Sequence, residues 1–162
     1  DREEILNQVT AEVPQFFKRL PLDERWKDIG NKLSLKFNRG WEEGQLIEVL
    51  RSNFQEDMRR GFTKFGPQRF DLEINILKEK AGDVLSRGEQ KLLILLIFLC
   101  FGEFISEKKG KKVFYLVDDA AAELDEENLI LAFKSLEKVN GQKIISAIKK
   151  PENIKLNNVI DL

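Results

Sequence analysis

The chain has 162 residues, 42% hydrophobic and 34% charged, which is the composition of a globular domain rather than of a disordered or membrane chain. Its net charge of -1 excludes a global positive field that would recruit nucleic acid or an anionic membrane. The absence of histidine excludes Ser-His and Cys-His nucleophilic pairs and imidazole metal ligands. With one cysteine, Cys100, the sequence contains no disulfide framework, and this thiol usage favours a cytoplasmic location.

The first half of the chain predicts helices next to a small sheet. Apolar side chains at helical spacing predict a helix over 2–20 and a short helix over 22–29. Alternation of apolar and polar residues predicts strands over 33–37 and 72–76, with another helix over 45–60 between them. We therefore expect a helical segment that lies beside a sheet.

The second half has the strand, helix and strand order that is typical of a parallel sheet. Residues 113–117 are continuously apolar and predict a strand that is covered on both faces. Asp125 predicts the N-cap of the next helix, which should end near Gly141. Residues 143–148 predict the following strand, and a further strand is expected to begin within 157–162.

The longest apolar run, Leu92 to Phe101, is too short for a membrane span, which needs about 20 residues. It belongs to a helix that we expect to run from Ser86 to about Ser106 and to be buried in the core. We therefore expect no membrane partner.

Ser86 and Glu89 form the S-x-x-E capping box of a helix start. Arg87 and Gly88 lie between them and add a guanidinium group and a residue without a side chain, beside N–H groups that the helix leaves unpaired. This combination suits a phosphate group. A plain helix cap explains the same residues, so the pattern alone leaves both interpretations open.

Asp118 and Asp119 follow the apolar strand directly. Carboxylates at the C-terminal end of a strand lie where α/β folds bind ligands, and acidic pairs hold Mg²⁺ in phosphoryl-transfer enzymes. One carboxylate would coordinate the metal or its waters, and the other would orient an attacking water. Receiver-type phosphoacceptor domains also have an acidic pair at a strand end, but they place it near the start of the chain.

The order and spacing of these features resemble the C-terminal lobe of an ABC-type ATPase head, with a signature motif, a Walker B strand and a D-loop. Within that superfamily the chain resembles the RecF family of bacterial DNA replication and repair ATPases. The residues that carry the resemblance are Ser86-Arg87-Gly88, Gln90-Lys91, Tyr115-Leu116-Val117-Asp118-Asp119, Glu123-Leu124-Asp125, Gly66-Pro67 with Arg69, and Gly40-Trp41.

The resemblance implies an α/β fold: an ATPase head with a P-loop-like sheet and flanking helices, together with part of a helical second lobe. We accordingly divide the chain into residues 1–60, a segment of the helical lobe, and residues 61–162, the C-terminal ATPase subdomain. Two protomers of the family close head to tail on ATP, so that the signature motif of one meets the P-loop of the other.

The same resemblance assigns roles to individual residues. Asp118 would hold Mg²⁺, and Asp119 would position the attacking water. The signature residues, which would bind the ATP held by the other protomer, are Ser86, Arg87, Gly88, Gln90 and Lys91. The D-loop residues, of which Asp125 would contact the partner protomer, are Glu123, Leu124 and Asp125.

At the level of function, the resemblance implies an ATP-gated DNA clamp that forms an ATP-dependent homodimer. Its implied targets are single-stranded DNA and junctions of single-stranded and double-stranded DNA, and its implied partner is a RecR-type recombination mediator. The implied processes are recombinational repair, replication restart and the SOS response. Lys and Arg are scattered along the sequence, so no DNA-contacting surface is indicated.

The chain departs from the family pattern at several positions. Glu89 stands where the family has Gln, and Gln68 and Phe70 replace the His and the first Asp of the family's G-P-H-R-D-D-L stretch. Ala122 replaces a D-loop Ser. At the switch position, where many ABC ATPases carry His, the sequence reads Ile145-Ser146-Ala147.

The largest departure is the lack of any G-x-x-x-x-G-K-[ST] sequence, the P-loop that holds the phosphates of ATP. The family places this loop in its N-terminal portion, and this chain begins with Asp1 rather than Met. We therefore expect the sequence to be the C-terminal part of a longer protein that is a weak, Mg²⁺-dependent ATPase. By itself, the chain is expected neither to bind ATP tightly nor to hydrolyse it.

Two alternative classes remain. The first is the head of an SMC-like or RecN-like ATPase, although residues 8–58 are too short and too mixed for a long coiled coil. A transporter ATPase is disfavoured because such heads usually carry Glu at the position of Asp119. The second class is a non-enzymatic α/β binding module that retains the capped helix and the acidic pair as structural features.

Overall fold

The computed structural model contains both helices and strands, and it describes residues 2–42, 44–119 and 124–146. The helices are α1 (Arg2–Arg19), α2 (Glu24–Lys32), α3 (Leu46–Arg60), α4 (Ala81–Val84), α5 (Arg87–Lys109) and α6 (Glu126–Lys138), with a 3-10 turn at Pro67–Arg69. The strands are β1 (Leu33–Asn38), β2 (Asp71–Ile76), β3 (Glu79–Lys80), β4 (Phe114–Val117) and β5 (Gln142–Ile145).

The predicted helices of the first half are confirmed, with small shifts at their ends. Helix α2 begins at Glu24 because the side chain of Asp23 caps it, accepting a hydrogen bond from the Trp26 N–H at 2.9 Å. Helix α3 ends where Gly61 adopts a left-handed conformation, at φ 76°. The helix predicted from Ser86 to about Ser106 is also confirmed, as α5, and it continues three residues further, to Lys109.

The two predicted strands of the first half pair in an antiparallel sheet of order β1-β2-β3. The register places Leu33 opposite Ile76 and Asn38 opposite Asp71, so the apolar residues of both strands share one face. Strand β3 and helix α4 were not predicted, because segments of two and four residues are too short for a periodic pattern.

The hydrophobic core forms where α1 and α2 meet α5. Helix α2 crosses α1 closely, since a Cβ atom added at Gly30 would lie 2.6 Å from the Phe17 ring. One continuous cluster of buried side chains joins the first helices to α5, and its fully buried members include Val9, Val13, Phe17, Trp26, Leu92, Leu93, Leu96 and Leu99. The division of the chain at residue 60 stays a prediction.

Strands β4 and β5 form a parallel pair connected through α6, as the strand, helix and strand pattern predicted. The Asp125 carboxylate caps α6 by accepting a hydrogen bond from the Asn128 N–H at 2.8 Å, which confirms the predicted N-cap. Within this pair Val117 lies opposite Ile145, so both strands end at the same edge. The strand predicted within 157–162, and the end of the strand predicted over 143–148, lie outside the described residues.

The expectation that the parallel strand is covered on both faces is wrong for the part of the chain that the structure describes. Tyr115 is buried against α5, but the alternate residues Phe114 and Leu116 are 62% and 75% exposed, and Ile144 of β5 is 58% exposed. Successive side chains of a strand point to opposite faces, and the described helices pack on only one of them. We call Phe114, Leu116 and Ile144 the open sheet face.

Among residues 2–42, 44–119 and 124–146, no helix is both long enough and apolar enough to cross a membrane. Helix α5 has 23 residues, but charged residues occupy both of its ends and Glu103 lies inside it.

Candidate functional site

The start of helix α5 is a complete capping box, as the sequence predicted. Ser86 Oγ accepts a hydrogen bond from the Glu89 N–H at 3.3 Å, and the Ser86 N–H donates to Glu89 Oε2 at 2.8 Å. The two residues therefore satisfy each other's backbone donors.

The cap leaves the N–H groups of Arg87 and Gly88 without an acceptor inside the helix, because they precede the first intrahelical bond, which runs from Gln90 to Ser86. The side chains of Ser86 and Arg87 are exposed. The partial positive charge of the helix start adds to the Arg87 guanidinium. This first turn can therefore receive an anion from solvent.

The next two residues of the motif contact their own chain. Gln90 Nε2 donates to the carbonyl oxygens of Leu85 at 2.8 Å and Gly82 at 3.2 Å, and so holds the turn between α4 and α5. Lys91 Nζ donates to the main-chain oxygen of Asp119 at 3.3 Å. The Lys91 contact joins helix α5 to the acidic end of β4.

Sequence reasoning missed Arg25, a residue of helix α2 that forms an ion pair with Glu89 of helix α5. The side chain of Glu89 is 15% exposed and that of Arg25 is 59% exposed. The hydrogen bond from Arg25 lowers the pKa of Glu89, with further lowering from the bonds to Ser86, whereas partial burial opposes the shift. The two residues lie 64 positions apart, so no local pattern could have predicted the pair.

At the acidic strand end, the hydroxyl of Ser146 binds both aspartates. Ser146 Oγ donates to Asp118 Oδ1 at 2.5 Å and accepts from the Asp119 N–H at 2.9 Å. The Ser146 N–H donates to the Val117 oxygen at 2.9 Å, which extends the pairing of β4 and β5 by one residue. Because parallel strands end at a common edge, the residue that follows β5 meets the pair that follows β4.

Asp119 adopts a left-handed backbone conformation, with φ 47°. Aspartate and asparagine tolerate this region better than other residues with side chains. The chain leaves the strand by a sharp turn at Asp119, which is half-buried, while the side chain of Asp118 is exposed.

The donor set at this edge suits Mg²⁺ only in the company of phosphates. Within the described ranges, no group of three or more Asp, Glu, His or Cys residues could hold a metal ion. Mg²⁺ commonly binds one or two carboxylates and completes its six ligands with waters and substrate phosphates. Asp118 and Asp119 fit that arrangement, since Asp118 Oδ2 is not used by the Ser146 bond.

Of the three residues predicted to form the D-loop, the structure describes Leu124 and Asp125. Glu123 lies outside the described residues. Leu124 is half-buried and packs against the core. Asp125 uses both carboxylate oxygens in the cap of α6, since Oδ2 accepts from Asn128 Nδ2 at 2.9 Å. A contact between Asp125 and a partner protomer stays a prediction.

Several known proteins are similar to this chain in sequence. No protein-family model matches the chain. The chain is 38% identical over 117 residues to the DNA replication and repair protein RecF of Stutzerimonas stutzeri strain A1501, covering 72% of this chain and 32% of the relative. It is 38% identical over 127 residues to RecF of Escherichia coli O1:K1 / APEC, covering 78% of this chain and 36% of the relative. The chain thus spans about a third of the length of the curated relatives it matches.

Two solved structures share the fold. The structure of the recombination mediator protein RecF-ATP in the RecFOR pathway aligns with a TM-score of 0.58 at 24% identity, over 95% of this chain and 41% of that chain. The RecF-ATPrS structure aligns with a TM-score of 0.51 at 20% identity, over 91% of this chain and 52% of that chain. The fold is therefore the mixed α/β fold of these two structures. With 38% identity over most of its length, the chain is a RecF-type protein.

Proposed function

We propose that the chain supplies the signature motif and the acidic strand end of an ATP-gated RecF-type protein that acts on DNA in replication and repair. The observation that carries the proposal is the start of α5, where Ser86 and Arg87 are exposed and the amides of Arg87 and Gly88 have no intrahelical acceptor. The similarity to proteins named DNA replication and repair protein RecF supports the biological role.

In this proposal the first turn of α5 binds the terminal phosphate of ATP that a partner protomer holds. Ser86, Arg87 and Gly88 provide a hydroxyl, a guanidinium and backbone amides, the donors that phosphate oxygens require. Gln90 and Lys91 hold the first turn of α5 in position, because their described contacts run to the α4 turn and to Asp119. Phosphate binding in trans requires two protomers, so nucleotide controls an ATP-dependent homodimer.

The acidic strand end is proposed to serve the nucleotide of its own protomer. Asp118 would hold Mg²⁺, which supplies charge neutralisation to the phosphates when it is bound. Asp119 would accept a hydrogen bond from the attacking water and so orient it. Ser146 fixes the direction of the Asp118 carboxylate through its hydroxyl. Because the sequence lacks a P-loop, we propose that these groups hydrolyse ATP only together with a segment that supplies one.

At the level of the whole protein, we propose a clamp that closes on DNA when ATP is bound and releases it after hydrolysis. Single-stranded DNA and its junctions with duplex are the proposed targets, and a RecR-type mediator is the proposed partner. The name of the RecF-ATP structure, which places that protein in the RecFOR pathway, supports a role in recombinational repair. The SOS response and a cytoplasmic location follow as parts of the same proposal.

The experiment is sedimentation of a RecF-type protein in which this sequence is joined to a P-loop segment, with and without Mg-ATP. Ser86→Arg should abolish ATP-dependent dimers, because a bulky cation replaces the capping hydroxyl in the phosphate site. Ser86→Asp is the sharper variant, because Asp caps a helix as well as Ser does but repels phosphate. Ser52→Asp on the exposed side of α3 is the matched control and should dimerise normally.

Dimers that persist in Ser86→Asp would contradict the phosphate role of the α5 start. A separate calorimetric titration of the 162-residue chain with Mg-ATP should show no tight binding. Micromolar affinity in that titration would contradict the requirement for a P-loop.

A further inference from the structure

Helix α2 places a cation beside the capping box of α5. The chain of contacts runs from the Arg25 guanidinium to the Glu89 carboxylate, and from that carboxylate to the Ser86 N–H at 2.8 Å. The residues on either side of Arg25 fix its backbone. Asp23 caps α2, and Trp26 is 2% exposed in the core. The Arg25 side chain therefore extends from a helix start whose backbone is anchored.

The negative charge of Glu89 opposes phosphate binding at the start of α5, which the proposed function requires. Its carboxylate lies in the same helical turn as Arg87 and Gly88, whose amides would face a phosphate. A carboxylate at this position favours the helix but repels a bound anion. Arg25 offsets this charge, and its bond to Glu89 Oε1 leaves Oε2 on the Ser86 amide.

We propose that Arg25 is a positioning residue of the signature motif, which holds the Glu89 carboxylate on the Ser86 amide and offsets its charge so that the first turn of α5 can receive a phosphate. This inference rests on the proposed function, because it assigns Arg25 a purpose in phosphate binding. It also makes α2 part of the site, although α2 lies outside every motif recognised in the sequence.

The first test measures only the effect of Arg25 on the carboxyl group of Glu89. The carboxyl pKa of Glu89 is followed by NMR in the intact chain and in Arg25→Ala, where it should rise because the first cause of its lowering has been removed. Arg19→Ala is the matched control, because Arg19 also connects an N-terminal helix to α5, through Glu107 at 3.2 Å near the other end of α5. A Glu89 pKa that is the same in Arg25→Ala and the intact chain would overturn the proposal.

The second test uses the P-loop-joined protein of the sedimentation experiment and measures phosphate binding through the amide signals of Arg87 and Gly88, with Mg-ATP as the probe. Arg25→Ala should weaken binding about two- to fivefold when Glu89 is present, the range expected for one partly exposed charge. In the Glu89→Gln background the same substitution should have no effect, since no carboxylate remains to be offset. Arg19→Ala should bind as the intact chain does.

Equal weakening in both backgrounds would overturn the proposal, because it would show that Arg25 acts without Glu89. If Mg-ATP moves neither amide signal in any variant, the proposed function fails at this motif. The pKa measurement would then still decide whether Arg25 controls Glu89.

Discussion

Ser146 Oγ lies 2.5 Å from Asp118 Oδ1, so the residue that follows β5 orients the carboxylate that follows β4. The same hydroxyl accepts a hydrogen bond from the Asp119 N–H. A single side chain thus ties down both members of the acidic pair.

Ser146→Ala is expected to lower the free energy of unfolding by about 1 kcal/mol, because it removes two hydrogen bonds at an exposed site. Ser146→Thr keeps the hydroxyl and should retain most of the stability. Urea unfolding of the intact chain and both variants measures the difference. Ser52→Ala is the control, since its hydroxyl bonds within its own helix, donating to the Val49 oxygen and accepting from Asn53 Nδ2. Equal losses in the Ala and Thr variants at 146 would contradict the role of the hydroxyl.

Asp119→Asn separates backbone strain from charge. Asn tolerates the left-handed conformation at φ 47°, so the variant should unfold within about 0.5 kcal/mol of the intact chain. Asp119→Val should be destabilised by about 1–3 kcal/mol, because a β-branched residue is strained there. Thermal unfolding compares the two. A stable Val variant would show that the turn at Asp119 relaxes freely.

Gly102→Ala should destabilise the contact between α5 and β4. A Cβ atom at this position would lie 2.2 Å from the Tyr115 hydroxyl oxygen and 2.7 Å from the ring. Overpacking of this kind costs about 1–3 kcal/mol. Tyr115→Phe removes the nearest atom and should reduce the penalty in the double variant, which urea unfolding can measure. Additive effects of the two substitutions would contradict direct contact.

Tyr115→Phe alone should leave stability unchanged or increase it. The Tyr115 hydroxyl is buried and has no hydrogen-bond partner among the described residues. Burial raises the pKa of this phenol to about 12. The intact chain should therefore show little phenolate absorbance below pH 11 until it unfolds, and early ionisation would indicate that Tyr115 reaches solvent.

Cys100 is expected to be inert in the folded chain. Burial raises the pKa of its thiol to about 12, so almost no thiolate forms at pH 8. Iodoacetamide should label Cys100 slowly in buffer and rapidly in concentrated urea, and mass spectrometry measures both rates. Similar rates in the two solvents would show that the core around α5 opens readily.

The capping box predicts a specific pH dependence. The pKa of Glu89 is lower in the folded chain than its ordinary value of 4.5, so its contribution to stability is present above that value and is lost as pH falls through the lowered pKa. Glu89→Gln keeps a capping side chain without the charge. The intact chain should be more stable than this variant at pH 7, and the difference should shrink as the pH falls below 4.5 through the lowered pKa of Glu89. A difference that does not change as the pH is lowered would exclude the carboxylate as its source.

Features that depend on neighbouring residues were predictable from the sequence. The capping box at Ser86 and the N-cap at Asp125 need only residues three positions apart, and helix α1 follows from a repeat of apolar residues. The acidic pair was located because it directly follows an apolar strand.

Features that depend on tertiary packing were not predictable. Arg25 meets Glu89 only because the fold brings the start of α2 within side-chain reach of the start of α5, and an exposed arginine in a short helix gives no signal of this contact. The bond from Ser146 to Asp118 spans 28 positions and needs the parallel pairing of β4 and β5. An apolar strand likewise does not reveal how many of its faces the chain itself covers, and so the exposure of Leu116 was unexpected.

The open sheet face has a calorimetric consequence. The heat capacity of a protein rises on unfolding because apolar surface becomes newly hydrated, typically by about 12–15 cal/mol/K per residue. Phe114, Leu116 and Ile144 are already hydrated in the folded chain, so they add little to this increment. The stability curve of the chain should therefore be flatter with temperature than that of a domain of equal length whose sheet is covered on both sides.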